Sequence, residues 1–129
     1  MYFAVALGSG IGGVARLGCS EIAVRLFGDA FPWGILAINV LGSLLIGFYF
    51  TYTGPDGRLM VSQVTRQFVM TGLCGGYTTF SAFSLDTLNL IHSGRLSAAG
   101  ANVSLSVVLC LLAVWMGRAL ATKLSRPTR

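Results

Sequence analysis

The chain has 129 residues, 54% of them hydrophobic and only 10% charged, where a soluble domain carries about 25% charged residues. That composition excludes an ordinary water-soluble domain and points to a membrane protein. The net charge of +5 does not make a nucleic-acid binder: Arg118, Lys123, Arg126 and Arg129 gather at the C-terminus and the rest are scattered at segment ends, as in a charged membrane rim rather than a basic stripe.

Hydrocarbon about 30 Å thick needs roughly 20 mostly apolar helical residues to span it, and four segments qualify. The first, Tyr2 to Leu26, is rich in glycine and carries Arg16 well inside. It lacks the basic stretch that opens a secretory signal, so it reads as a retained membrane helix. The second, Trp33 to Tyr52, has aromatic residues at both ends, as an interfacial belt requires. Its Asn39 is an intramembrane amide, suited either to bridging helices or to replacing the water of a passing ion. "TGPDGR", Thr53 to Arg58, is a turn signal.

The third segment, Val61 to His92, would reach about 48 Å as one helix at 1.5 Å per residue. Inside it lies "TGLCGGYTTFSAFS", Thr71 to Ser84, whose glycines each cost a helix about 1 kcal/mol relative to alanine. A break near Gly75 and Gly76, within 75–78, leaves two half-helices, Val61–Leu73 and Thr79–Ile91. Broken backbone at membrane depth survives only where protein, water or an ion satisfies it, so a break predicts a polar site. The competing reading, that the glycines only permit close helix packing, stands level with it on spacing alone. Phe80 and Phe83 share a helical face. Two ring edges, which carry positive charge density, could contact a small anion, although plain core packing is the more ordinary use of such a pair.

The fourth segment, Ser97 to Lys123, repeats a polar residue every four positions at Asn102, Ser106 and Cys110, a stripe that either bridges helices or lines an ion path. "SRPTR" closes the chain as a polar tail. Without repeats or linkers, residues 1–129 form one all-α domain of four membrane helices, the third broken. Cys19, Cys74 and Cys110 are odd in number and lack a C-x-x-C pair; with His92 the single histidine, neither a zinc site nor a disulfide framework is expected. Arg16 and Asp86 are the ionisable groups deepest in the apolar segments, each a structural or functional candidate. Arg58, Arg66, Arg118, Lys123, Arg126 and Arg129 fall on one side, and Arg16, Arg25 and Arg95 on the other. Without the C-terminal group the sides nearly balance, a weak orientation bias. Four helices make too thin a bundle to enclose a hydrated path alone, so an oligomer is expected, with a C2 dimer the commonest closed form.

"TGLCGGYTTFSAFS", with "INVLG" upstream and "GGVARLG" in the first helix, strongly resembles the Fluc fluoride channels, also called CrcB, over essentially the whole chain. The resemblance implies an antiparallel, dual-topology homodimer in the bacterial inner membrane, conducting fluoride passively out of the cytoplasm through two pores. A pair of paralogues in opposite orientations is the alternative assembly. It further implies a structural sodium ion at the dimer centre, held by the backbone carbonyls of Gly75 and Thr78. Matched by motif, the fluoride path falls on Asn39, Thr79, Phe80, Phe83, Ser106 and Cys110, with Arg16 and Asp86 in support. Two positions depart from the family pattern: Cys110 where serine is expected, and Asn102 where a tyrosine is often found.

Against a fluoride channel stand three other readings. A small dimeric proton-coupled multidrug antiporter needs a carboxylate deep in the first helix, which offers only Glu21 near its end. A membrane enzyme would need a metal cluster or catalytic set, and none is legible. A purely structural packing subunit would explain the glycines but not the Thr-Thr-Phe run.

Overall fold

The computed structural model describes residues 1–125, so Arg126 and Arg129 of the basic C-terminal group lie outside the described residues. Every regular element among the described residues is helical. Helix α1 (Tyr2–Phe27) stops where Gly28 takes φ 77° and returns its N–H to the Val24 carbonyl at 2.8 Å, a left-handed conformation that glycine adopts without a side-chain clash. Helix α2 (Trp33–Tyr52) follows Pro32 and is closed by Thr53, whose hydroxyl donates to the Tyr49 carbonyl at 2.7 Å. Helix α6 (Leu96–Ser125) is about 45 Å long by its rise. These three helices are each long and apolar enough to cross a membrane.

The third segment is interrupted, but not at the glycines. It begins as α3 (Gln63–Gln67), capped by Ser62, which accepts the Thr65 N–H at 3.1 Å. It widens into a π-helical stretch, Phe68–Cys74, and continues as α4 (Gly75–Tyr77). Gly75 is helical, with φ −65° and ψ −37°. The chain leaves the helix at Thr78 (φ −80°, ψ 159°) and Thr79 (φ −154°, ψ 117°), then restarts as α5 (Phe80–His92). The break therefore falls at the far end of the expected 75–78 window, on Thr78 and Thr79, three residues beyond Gly75 and Gly76 respectively.

Close packing explains the shift. A Cβ on Gly72 would sit 3.0 Å from the Cα of Gly8, and one on Gly76 would sit 2.7 Å from the Cα of Ser9. Gly8-x-x-x-Gly12 on α1 thus meets Gly72-x-x-x-Gly76 almost backbone to backbone, the small-residue contact that brings membrane helices together. Both readings of the glycine-rich stretch hold, in different residues: the glycines pack and the threonines break.

Helix α1 packs mainly on the π-helical stretch and α4, α5 packs on α6, and the most extensive contact joins α2 to α6. Along that seam Asn39 and Ser43 share a groove with Ser106 and Cys110, while Phe50 and Thr51 share the next cavity with Arg118 and Thr122. Residue numbers rise together, so α2 and α6 run in the same direction.

Candidate functional site

An extended dipeptide at membrane depth leaves peptide groups without helical partners, each costing several kcal/mol if unmet. Asn39 meets two of them at one residue. Its Nδ2 donates to the Thr79 carbonyl at 3.0 Å, and its Oδ1 accepts the Thr79 N–H at 2.8 Å. An amide side chain is suited to this, because it carries one donor and one acceptor side by side. The Thr79 hydroxyl then accepts the Ala82 N–H at 3.1 Å and caps α5. Thr78 turns its hydroxyl back to the Cys74 carbonyl at 3.0 Å and lays its methyl over Gly42 of α2.

This break opens onto a groove of about 420 Å³ between α2, α5 and α6. Asn39, Thr79, Phe80, Phe83, Ser106 and Cys110 all line it, so three separate stretches of sequence converge on one surface. The two rings lie 5.3 Å apart, inclined at 47°, with Phe80 79% exposed in the single chain. The Ser106 hydroxyl is buried and has no hydrogen-bond partner, a state that a protein interior tolerates rarely without a ligand or water. The groove's donors are hydroxyls, two thiols and an amide; no lysine or arginine among the described residues lines it.

Asn102 does not join them. It is 2% exposed and donates to the Thr87 hydroxyl at 2.9 Å, which in turn donates to the Phe83 carbonyl at 2.8 Å. Each four-residue step turns about 40° around a helix, so the polar stripe winds from the α5 contact at Asn102 to the groove at Ser106 and Cys110. Asn102 clamps α6 to the helix that carries the rings.

Three other candidates sit outside the groove. Arg16 donates from Nη1 to the Thr78 carbonyl at 3.3 Å, tying α1 to the break. Asp86 lines a separate cavity of about 400 Å³ with Asp29, Asn89 and Arg95. In a continuing helix the Gly75 carbonyl would take the Thr79 N–H, but that N–H goes to Asn39. The Gly75 carbonyl is thereby released, and a Cβ at that position would meet only the Met70 carbonyl, at 3.8 Å. The Thr78 carbonyl has a second lone pair beyond the one facing Arg16. Two such oxygens fit a hard cation, which takes oxygen ligands. Among the described residues no cluster of His, Cys, Asp or Glu could hold a metal ion.

Two features escaped sequence reasoning. The π-helical stretch leaves no compositional mark. Ser43 also lines the groove, and its signal was present, since it stands one turn after Asn39 in an otherwise apolar helix.

A family model described as "CrcB-like protein, Camphor Resistance (CrcB)" matches residues 3–118. The chain is 50% identical over 125 residues to a fluoride-specific ion channel FluC of Opitutus terrae, covering 97% of this chain and 95% of that one. It is equally similar, with the same coverage, to the fluoride-specific ion channel FluC of Methylocella silvestris. It is 51% identical to fluoride-specific ion channel FluC 1 of Rhodopseudomonas palustris, over 98% of this chain and 89% of that one. With matches that run nearly end to end, and with the motif residues assembled around one groove, the chain belongs to the CrcB family.

Proposed function

We propose that this chain is a fluoride-selective channel that lets fluoride leave the cytoplasm passively and so lowers its toxic concentration. The observation that carries the reading is the convergence of Asn39, Thr79, Phe80, Phe83, Ser106 and Cys110 on one groove, in a chain about half identical to proteins named for fluoride conduction. Fluoride is small and holds its water tightly, so a path must offer donors in exchange. Hydroxyls and the positive edges of aromatic rings do this without a fixed cation that would trap the ion, and conduction needs binding that is also easy to leave.

The working unit is an antiparallel homodimer in the bacterial plasma membrane, surrounded by lipid, with a paired paralogue as the other assembly. Three features support a partner: Phe80 stands exposed at the groove, Gly75 presents a bare backbone, and the orientation bias is weak. In that dimer, sodium belongs at the Gly75 and Thr78 carbonyls of both copies, where it would supply structural cross-linking charge. Arg16 holds the Thr78 carbonyl in place from its own chain.

Efflux from liposomes, followed with a fluoride electrode, tests the reading. Purified wild-type protein is expected to release fluoride but not chloride, and Phe80→Ile or Phe83→Ile to slow release while eluting as wild type. No release, release only against a proton gradient, or normal release from both phenylalanine variants would sink it.

A further inference from the structure

We propose that Ser43 is a fluoride-binding residue of the groove, supplying a strong donor at the level where α6 offers only the Cys110 thiol. The inference rests on the channel reading and adds to it a residue from a helix otherwise represented by Asn39 alone.

Position makes the first part of the case. Because α2 and α6 run in the same direction along their seam, with Gly47 on Val114 and Gly117 on Leu44 and Phe48, Asn39 and then Ser43, one turn on, follow the groove in the same order as Ser106 and then Cys110. All four line the same groove. Next to Ser43, Gly42 lets the Thr78 methyl settle on α2, which brings the helix break alongside.

Availability makes the second. Hydroxyls in apolar helices ordinarily turn back to the carbonyl one turn earlier. Ser84 does so to Phe80 at 2.9 Å, Thr87 to Phe83 at 2.8 Å and Thr78 to Cys74 at 3.0 Å. The Ser43 hydroxyl is not held in such a back-bond to Asn39, whose own side chain is taken up by Thr79, and it lines the groove. Of the four hydroxyl residues that line the groove, Thr78 and Thr79 are engaged by the break and Ser106 is buried without a partner, which leaves Ser43 as the other hydroxyl on the wall.

Chemistry makes the third. A thiol is a weak donor, whereas a serine hydroxyl is a strong one. Hydrogen bonds to a full negative charge are roughly twice as strong as neutral ones. An ion moving from Ser106 toward Cys110 along α6 would lose donor strength at that step unless α2 restored it, and Ser43 is the α2 hydroxyl that follows Asn39 along the groove.

Fluoride efflux from liposomes, with chloride as the control anion, tests this on the full-length protein. Ser43→Ala is expected to release fluoride roughly tenfold more slowly than wild type, about the lower end of what losing one bond to a charged group does. Ser43→Ala with Cys110→Ser should recover most of that rate, because the hydroxyl returns from the opposite wall. Both variants should elute and melt as wild type. Efflux from Ser43→Ala within about twofold of wild type, or a double variant no faster than Ser43→Ala, overturns the assignment. A wild-type protein that releases no fluoride would instead defeat the channel reading itself.

Discussion

Upstream of Thr78 the interrupted segment meets α1 through bare backbone, Gly72 over Gly8 and Gly76 over Ser9. Downstream, α5 meets α6 through polar side chains, with Asn102 on Thr87, and presents Phe80 and Phe83 to the groove. The first half has no apolar driving force to exploit in lipid and relies on fit, so it serves as a fixed anchor. The second is joined by hydrogen bonds and rings that can also address an ion. Between them, two threonines decouple the halves, and Asn39 of α2 takes up the peptide groups left open. One hydrophobic segment can thus carry both scaffold and site, provided a third element satisfies the junction.

The largest effect should come from damaging the fit. Gly76→Val places a Cβ 2.7 Å from the Ser9 Cα, where only backbone is available to yield, and overpacking of this kind costs about 1–3 kcal/mol or more. Purified Gly76→Val should lose its monodisperse elution and melt well below wild type. A well-behaved Gly76→Val would show that α1 and the third segment are not locked together.

Next in size is the junction. Asn39→Ala leaves the Thr79 N–H and carbonyl without partners, at about 1–3 kcal/mol for each buried group. The protein should still assemble, but with a lower melting temperature and fluoride efflux reduced roughly tenfold or more, since Thr79 also sets the start of α5. Wild-type efflux with a lowered melting temperature would confine Asn39 to the scaffold and separate the two halves further.

Much of this was legible beforehand for physical reasons. Segment lengths followed from hydropathy because lipid enforces long helices, and the α2 and α6 boundaries lie within two residues of expectation. The groove residues were legible as polar or aromatic positions in apolar helices. What misled was Gly75 and Gly76: helix propensity is a local quantity, and Gly76 stays helical where it packs backbone to backbone on Ser9 of α1, which outweighs its cost, with Gly75 in the same turn. Where the break falls depends on Asn39, a contact about forty residues away that no local pattern encodes. For Asn102 the two readings of the stripe stayed open for a related reason, because spacing shows a stripe but not which neighbour each part of it meets; Asn102 bridges to Thr87.

The smallest effect separates side chain from backbone at the break itself. Thr78→Val keeps the methyl that rests on Gly42 and keeps the carbonyl that faces Arg16. It removes only the hydroxyl bond to the Cys74 carbonyl, which also accepts the Thr78 N–H at 3.0 Å and so is not left unpaired. If the carbonyls of Gly75 and Thr78 are the cation ligands, Thr78→Val should conduct fluoride within about twofold of wild type, because neither lost partner is stranded, and should show the same dependence on sodium. Loss of the sodium dependence in this variant would make the hydroxyl the ligand and would remove the released Gly75 carbonyl from the site. Retention would leave the backbone, set in place by Asn39 and Arg16, as the part of the break that an ion recognises.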